Sequence, residues 1–449
     1  MAIIIGAVVV IAGGIFWYYR QSSSSKISST PTDTLSTSNN ACTSPPVDTA
    51  QMDIFDSHVH TSPEVSLSQI ISEMDKAKVS MANLYSGTLE DSAKYPGKFI
   101  IFADTPDQPE PSTWLKQGQA FVTSTEEKLK TGKYYGIGEA NLRYYGGNNF
   151  PPGTPDINVA PDNPLWLQLV DLSAKYHVPI SFHFVPDDPA ANAAFEKMLN
   201  HNKDAIIIWA HLGFNNLTIN SATLNDYLLK YPNLYFDTAG IQGMQNPLTQ
   251  PNSNWTRITD QSGSQLNEEW KKFFETWNSR IMFASDAGGG KNSLERWQNY
   301  TSKISDKAPP DSVGRWVHLL SNLDSNATKN ILSTNARTLF LKEKRGPYDY
   351  AITSNGQCYP ISISSSSSVS APTFNSSTHA ITFTVTGSTG TTGSATIIVP
   401  TTLVGKNFTV SVDGQSVKSQ STSNSTSTIV SLEYAGGIRS ITFSASGTP

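Results

Sequence analysis

The sequence has few charged residues, few cysteines and no long run of lysine or arginine. Its 449 residues carry a formal net charge of -5 at pH 7. A protein that binds nucleic acid through its phosphates needs a basic surface, so no nucleic acid partner is expected. Hydrophobic residues make up 38% of the chain and aromatic residues 10%, which excludes a disordered protein and predicts a substantial core.

The low charged fraction indicates an exported protein. Charged residues make up 15% of the chain, where about 25% is usual, and serine, threonine and asparagine are abundant. The two cysteines, Cys42 and Cys358, flank one predicted domain, and a disulfide between them would tie its ends together. Two unrelated thiols are the alternative. Sequons of the N-x-S/T type add weak support for a glycoprotein, and they begin at Asn216, Asn254, Asn299, Asn326, Asn375, Asn407 and Asn424.

Residues 1–20 are predicted to form a transmembrane helix that anchors the protein in the membrane. The stretch from Ala2 to Tyr19 has no charged residue, is long enough to cross a thin bilayer and ends in an aromatic interface belt. A cleaved signal peptide is the alternative, but the apolar run exceeds the usual signal core and no small-residue cleavage site follows. Arg20 and Lys26 alone would keep the body in the cytoplasm. Because the sequons and cysteines favour the other side, we expect a single-pass protein of the cell membrane with its body outside the cytoplasm.

Three segments of different composition follow the anchor. Residues 21–50 are a serine- and threonine-rich tether with nothing to bury. Residues 51–347 alternate eight short apolar runs with amphipathic stretches, which predicts an α/β domain folded as a (β/α)8 barrel, or TIM barrel. Residues 361–449 switch to strict apolar and polar alternation, which predicts a small Ig-like β-sandwich. Its plain role is attachment; binding of a surface glycan would need exposed aromatic residues, and Tyr434 is a slight basis for that.

Side chains of the metal-ligand type stand at the ends of five predicted strands. In the motif DSHVH, His58 and His60 are one residue apart, and alternate residues of a strand point to the same side. The remaining candidates follow later strands, and in a barrel these ends meet at one rim. They are Glu139 after the fourth strand, His183 after the fifth, His211 after the sixth and Asp286 after the eighth. Singly, each has a structural explanation: a core histidine, a salt-bridge partner or a helix N-cap. No single structural explanation accounts for all six residues at the same strand ends, so the sequence predicts a metal centre.

These motifs resemble the amidohydrolase superfamily of metal-dependent hydrolases, within it the branch called amidohydrolase 2. The resemblance covers residues 53–345. It rests on DSHVH, GIGEANL, ISFHF, WAHLG and FASDAG in that order, on ISEMDKAKVSMANLYS, and on NILSTNARTLF near the end of the barrel.

The resemblance implies a ligand set for one or two divalent transition-metal ions. The implied ligands are His58, His60 and Asp286 for one ion, and His183 and His211 for the other. Glu139 stands where family members carry a bridging carboxylate or a carbamylated lysine, which favours two ions. Imidazole and carboxylate ligands make zinc the first choice, with manganese, iron or nickel after it.

The implied reaction is the hydrolysis of an amide, lactone or other ester bond in a small-molecule substrate by a metal-bound hydroxide. Asp286 would take the proton and pass it to the leaving group, and His211 would act as acid or base if one ion binds. Asn141, Arg143 and Tyr144 are candidate substrate contacts, with structural roles as the alternative. Two other functions stay open: a decarboxylase or other lyase of the same branch, and a non-catalytic surface protein that keeps the barrel as a scaffold.

Overall fold

A computed structural model describes residues 52–103, 112–144, 157–186, 188–213, 220–239, 258–260, 265–289, 293–301, 312–341, 345–355, 357–370, 372–387, 390–404 and 408–445. The predicted anchor, the tether and Cys42 lie outside these residues, as do Asn216, Asn254 and Asn407 of the sequons. No helix within these ranges is both long and apolar enough to cross a membrane. The anchor, the disulfide and glycosylation therefore stay predictions.

Each of the eight apolar runs of the predicted barrel contains one parallel strand. A further antiparallel pair of two-residue strands follows the fourth of them, and the sequence pattern did not predict it. In chain order the strands are β1 (Ile54–His60), β2 (Val79–Tyr85), β3 (Phe99–Ile100), β4 (Ile137–Asn141), the short pair β5 (Arg143–Tyr144) and β6 (Ile157–Asn158), β7 (Pro179–His183), β8 (Ile206–Trp209), β9 (Leu234–Asp237) and β10 (Ile281–Met282).

The parallel strands form two sheets that are linked at both junctions. The sheet orders are β1-β2-β3 and β10-β9-β8-β7-β4. One isolated parallel bridge joins Val59 of β1 to Ala287 just after β10, and another joins Ala103 just after β3 to Ile137 of β4. Across the first junction the backbone N–H of His60 donates to the carbonyl of Ala287 at 2.7 Å. Parallel pairing places the carboxyl ends of the strands on one side, which is where ligands bind in such folds.

Polar N-cap residues begin the helices between the strands. Ser66 and Thr88 form capping boxes with Gln69 and Asp91, and the side chain of Asp188 accepts the N–H of the first turn of its helix. These oxygens satisfy backbone donors that a helix start leaves without partners. The helices are α1 (Leu67–Lys76), α2 (Leu89–Lys94), α3 (Ser112–Gln117), α4 (Gln119–Lys130), α5 (Pro164–Tyr176), α6 (Pro189–His201), α7 (Ser221–Lys230), α8 (Glu268–Thr276), α9 (Ser293–Gln298), α10 (Val313–Leu320), α11 (Ser325–Lys329) and α12 (Asn335–Leu341), with a 3-10 turn over Ala210–Gly213 and a π-helical turn over Asn330–Thr334.

Large aromatic side chains fill the space between the sheets and the helices. Phe195 of α6 is fully buried, and its ring centroid lies 4.4 Å from that of Trp209 of β8. Trp166, Trp270 and Trp316 are likewise buried within the same core. Truncation of such a side chain to alanine typically costs about 3–5 kcal/mol of stability. The core therefore contributes strongly to the stability of the parallel sheets.

The C-terminal part is built of antiparallel strands in two sheets. Their orders are β11-β12-β16-β20-β19 and β13-β15-β21-β17-β18, with β14 paired to β15. Apolar residues of both sheets, among them Ile363, Ile397, Phe383 and Ile441, belong to one shared core. The elements are β11 (Arg345–Ser354), β12 (Gln357–Ser365), β13 (Ser368–Val369), β14 (Thr373–Asn375), β15 (Ala380–Thr386), β16 (Thr392–Pro400), α13 (Thr401–Val404), β17 (Phe408–Val412), β18 (Gln415–Ser416), β19 (Ser419–Ser423), β20 (Ser427–Ala435) and β21 (Ile438–Ala445).

This antiparallel part begins at Arg345, before residue 361 where the sequence pattern places it. The first two strands of this part each contain a proline, and a proline argues against a strand in a sequence, because it lacks the N–H that a sheet interior needs. Pro347 lies in β11, which is an edge strand. Pro360 lies in β12 ahead of Ser362, where the pairing of β12 with β16 starts. Both prolines therefore occupy positions that a sheet tolerates.

Tyr434 is not an exposed aromatic residue. Its side chain is 5% exposed, and its hydroxyl lies 2.8 Å from Ser365 Oγ inside the C-terminal core. The interpretation of Tyr434 as a glycan contact is therefore wrong. Tyrosine is amphipathic, and at the end of a strand the alternating pattern alone does not distinguish a capped core tyrosine from a surface one.

Candidate metal centre

The six predicted ligands converge at the carboxyl ends of the strands. Nε2 of His58 lies 3.0 Å from Nε2 of His60 and 3.2 Å from Oε2 of Glu139. Oδ1 of Asp286 lies 3.4 Å from Nε2 of His60 and 3.7 Å from Nε2 of His58. His58, His60 and Asp286 are termed the first cluster.

His183 and His211, termed the second cluster, lie on the other side of Glu139. Nε2 of His211 is 3.2 Å from Oε1 of Glu139, and Nδ1 of His183 is 4.0 Å from the same oxygen. The two ring centroids are 4.7 Å apart. Glu139 thus turns Oε2 toward the first cluster and Oε1 toward the second, so one carboxylate stands between both.

The spacing of these atoms fits divalent metal ions. Two ligand atoms at about 2.1 Å from a tetrahedral zinc ion lie about 3.4 Å apart. The separations within the first cluster and from its two histidines to Glu139 bracket that value, since they run from 3.0 Å to 3.8 Å. Within the part of the chain that the structure describes, two groups offer candidate ligand atoms that all lie within 4.8 Å of one another. They are His58, His60 and Glu139, and Glu139, His183 and His211. Imidazole nitrogen and carboxylate oxygen are the donors that zinc and its first-row neighbours accept.

A tight turn after β10 places Asp286 against β1. The backbone N–H of Asp286 donates to the carbonyl of His58 at 2.9 Å, and Asp286 has a left-handed φ of 55°. Gly288 has a φ of +82°, and a Cβ there would lie 2.3 Å from the carbonyl oxygen of His60. Only glycine satisfies both conditions without strain. Gly288 of FASDAGGG therefore allows the close approach of this turn to the HxH strand.

Gly289→Ala is expected to displace the carboxylate of Asp286 while leaving the fold intact. An added Cβ would lie 2.4 Å from Oδ1 of Asp286 and 3.0 Å from Cδ2 of His60, so the carboxylate must move. Loss of the contacts that orient a metal ligand typically lowers metal affinity about tenfold to a hundredfold. We expect weaker zinc binding in titration calorimetry, with a melting temperature within about 3 °C of wild type. Unchanged zinc affinity would show that Asp286 does not need its observed position.

The charges around Glu139 shift the pKa values of the histidines in opposite directions. Burial alone would lower the pKa of His58, but Glu139 and Asp237 raise it well above its ordinary value. Against the same burial, Glu139 raises the pKa of His211 to about 9. Burial and the charge of His211 lower the pKa of His183 to about 3. Burial would raise the pKa of Glu139, but the histidines facing it hold the value well below its usual range. The carboxylates of the centre thus favour positive charge on His58 and His211.

Sequence reasoning missed Asp237, the last residue of β9. Its side chain is 2% exposed, and Oδ2 lies 3.1 Å from Nδ1 of His58. The signal was present in LYFDTAG, because Asp237 closes a strand as the predicted ligands do. A single acidic residue at a strand end also suits a turn, so this position alone does not predict a role in a metal centre.

Asp56 and Arg296 are two further charged residues of the centre that sequence reasoning missed. Asp56 is fully buried and accepts the Tyr300 hydroxyl at 2.7 Å, and burial raises the pKa of its carboxyl to about 6. Arg296 of α9 donates to Oδ2 of Asp286 at 3.1 Å and to the carbonyl of Gly289 at 2.6 Å. No sequence pattern predicts the contacts of Arg296, because they depend on how α9 packs against the turn after β10.

The predicted substrate contacts follow Glu139 along the chain, at the end of β4 and in β5. Asn141, the last residue of β4, is 7% exposed. Arg143 follows in β5, and its Nη2 donates to Oδ2 of Asp188 at 2.7 Å, so its guanidinium is held at the start of α6. Tyr144 is described only in its backbone, as the end of β5. Their substrate roles stay predictions.

Comparison with known proteins gives matches among solved structures only. No model of a protein family matches the chain, and no curated protein matches it. A 2,6-dihydroxybenzoate decarboxylase from Rhizobium is 14% identical, with a TM-score of 0.37 over 65% of this chain and 99% of its own. An amidohydrolase 2 from Bifidobacterium longum subsp. infantis is 14% identical, with a TM-score of 0.30 over 65% of this chain and 100% of its own.

A dihydroxybenzoic acid decarboxylase from Polaromonas sp. JS666, solved with manganese and the inhibitor 2-nitroresorcinol, is 16% identical. Its TM-score is 0.31 over 64% of this chain and 97% of its own. The chain is similar, at low identity and low TM-score, to solved structures of the amidohydrolase 2 branch, the family that its motifs resemble.

Proposed function

We propose that the protein is a metal-dependent hydrolase that cleaves an amide, lactone or other ester bond with two divalent ions at the first and second clusters. The observation that carries this proposal is the placement of Glu139. Its two oxygens face different clusters, each at 3.2 Å from a histidine nitrogen, Nε2 of His58 on one side and Nε2 of His211 on the other. A carboxylate in this position can link two ions a few ångströms apart.

The side chains of the centre have distinct parts in such a reaction. Bound divalent ions lower the pKa of a coordinated water and polarise a carbonyl oxygen. Oδ1 of Asp286 lies 3.4 Å from Nε2 of His60. Asp286 would take a proton from the attacking water and return it to the leaving group. Arg296 holds the other oxygen, Oδ2, at 3.1 Å and favours the ionised carboxylate. With a single ion bound, His211 would be free to act as the acid or base.

Elemental analysis of the full-length protein tests the proposal, together with assays on a panel of amides, lactones and other esters. We expect up to two first-row metal ions per chain, zinc first, and hydrolysis of at least one compound that stops on chelation. His58→Ala should lose metal, whereas His318→Ala, an exposed histidine of α10, should keep it. Less than one tightly bound ion per chain would overturn the proposal.

A metal-dependent decarboxylase or other lyase is the second candidate. Arg296 supports it, because its guanidinium lies beside Asp286 and its side chain is 21% exposed, and a guanidinium can bind a carboxylate in a bidentate way. Aromatic acids belong in the same panel, and release of carbon dioxide without hydrolysis would select this candidate. A metal-free protein without activity would instead support a non-catalytic surface protein.

Metal binding should release about two protons per chain at pH 7. The pKa of His58 is raised well above its ordinary value and that of His211 to about 9, so both rings are protonated in the metal-free protein. An imidazole must be neutral to bind a metal, so zinc affinity should rise as the pH rises toward about 9. Titration calorimetry in buffers of different ionisation enthalpy counts the protons. Binding without proton release would contradict these shifts.

The finer architecture and the location are part of the proposal. The bridges at both junctions of the parallel sheets support closure into a (β/α)8 barrel, and the shared core of the antiparallel sheets supports an Ig-like sandwich. The composition of residues 1–20 supports a single-pass anchor with the catalytic domain outside the cytoplasm. Cys358 lies partly buried in β12, and peptide mapping without reduction tests its disulfide with Cys42.

A further inference from the structure

The carboxylate of Asp237 connects the two clusters although it belongs to neither. Oδ2 lies 3.1 Å from Nδ1 of His58. Oδ1 accepts the backbone N–H of His211 at 2.8 Å and that of Ala239 at 3.1 Å. One buried side chain at the end of β9 therefore contacts a histidine from each cluster.

The contact with His58 sets which ring nitrogen carries the proton. A carboxylate only accepts hydrogen bonds, so Nδ1 of His58 must be the donor. When the ring is neutral, as metal binding requires, the lone pair is therefore on Nε2, which lies 3.0 Å from Nε2 of His60 and faces Glu139. A metal-binding histidine is commonly oriented in this way by a carboxylate on its far nitrogen.

The contact with His211 acts through the backbone. His211 has a φ of 61°, a left-handed conformation that costs free energy for a residue with a side chain. Asp237 holds this conformation through the N–H of His211. The N–H of Ala239 donates to the same oxygen of Asp237. The carbonyl of Ala239 in turn accepts a hydrogen bond from Nδ1–H of His211 at 2.9 Å. Nε2 of His211 is thereby directed at Oε1 of Glu139.

We infer that Asp237 is the positioning residue of the proposed metal centre. It sets the tautomer of His58 directly, and it fixes the backbone of His211 and, through Ala239, the direction of its ring. This inference rests on the proposed function for its metal, but the tautomer of His58 follows from the structure alone. The contacts of Asp237 are with the two histidines and with Ala239, so its effect on the centre passes through the histidines.

Asp237→Asn separates the two contacts. The asparagine oxygen can still accept the N–H groups of His211 and Ala239, while its NH2 group faces Nδ1 of His58 and can only donate. The ring proton of His58 must then move to Nε2, where it blocks metal binding. We expect zinc affinity at the first cluster to fall about tenfold to a hundredfold, with the second site changed little. Asp237→Ala removes both contacts and should weaken both sites.

Two measurements on the full-length protein decide the question. Zinc titration with chelator competition gives the affinity of each site. In the metal-free protein, 15N NMR of labelled histidines is followed as the pH is raised until the ring of His58 loses one proton, and it then shows which nitrogen keeps the other. Asp171→Asn, an exposed aspartate that contacts His201, is the matched control and should match wild type.

The inference is overturned if wild-type His58 carries its only proton on Nε2, or if Asp237→Asn binds zinc as wild type does. The wild-type spectrum decides the tautomer even if a variant fails to fold. Should wild type bind no zinc while His58 is protonated on Nδ1, the proposed function fails and the positioning of His58 by Asp237 stands.

Discussion

Replacement of Glu139 by glutamine is expected to remove most of the bound metal and to lower hydrolysis about a thousandfold or more. The glutamate oxygens face His58 and His211 at 3.2 Å each, and glutamine would turn an NH2 group toward one of them. An NH2 group donates and does not bind a cation, so at least one ion loses a ligand. Metal ions contribute several kcal/mol to such reactions, and about 1.4 kcal/mol corresponds to a factor of ten.

Metal content by mass spectrometry, zinc affinity by calorimetry and kcat on the substrate found in the panel measure this effect. Glu196→Gln is the matched control, because Glu196 pairs with Lys230 and Tyr231 on the outer helices, away from the centre. It should keep its metal and its rate. Two tightly bound ions in the Glu139→Gln protein would refute the shared-carboxylate arrangement.

Asp286→Asn is expected to lower kcat by about 10² to 10⁴ while at least one ion stays bound. Asparagine keeps the shape of the side chain but cannot accept a proton, and general acid–base catalysis contributes rate factors of that size. The second cluster and Glu139 are untouched by the change, so metal loss is limited to the first cluster. The effect should appear in kcat rather than in KM, because the interaction lost is made in the transition state.

Steady-state kinetics on the metal-loaded variant, with its zinc content measured in parallel, test this expectation. Asp171→Asn again serves as the control, since it makes the same chemical change at an exposed site. A kcat within tenfold of wild type at full metal content would remove Asp286 from proton transfer and leave it as a ligand.

The elements of the parallel sheets could be predicted because their signal is local. Each apolar run between polar boundaries contains a strand, from β1 to β10. The pair β5 and β6 was missed, since two residues are too short to show a period. The start of the antiparallel part at Arg345 was missed because Pro347 and Pro360 stand where a sheet edge tolerates them.

The ligand types could also be predicted, but their partners could not. His58 and His60 share a side because alternate strand residues do, and this follows from the sequence alone. Which oxygen of Glu139 faces which histidine depends on how β4 lies against β1 and β8. Arg296 carries no recognisable pattern, since its contact with Asp286 depends on the packing of α9.

By itself, the sequence determined which residue types close each strand, because strand periodicity and N-caps depend on neighbours a few positions away. Only the tertiary structure decided that Asp237 supports His58, which lies 179 positions away in the chain. Such contacts form when the two parallel sheets meet at their junctions, and the distances there are set by packing of side chains from many elements at once. Local periodicity does not encode that packing, which is why the candidate ligands could be predicted from the sequence and their contacts with the residues that support them could not.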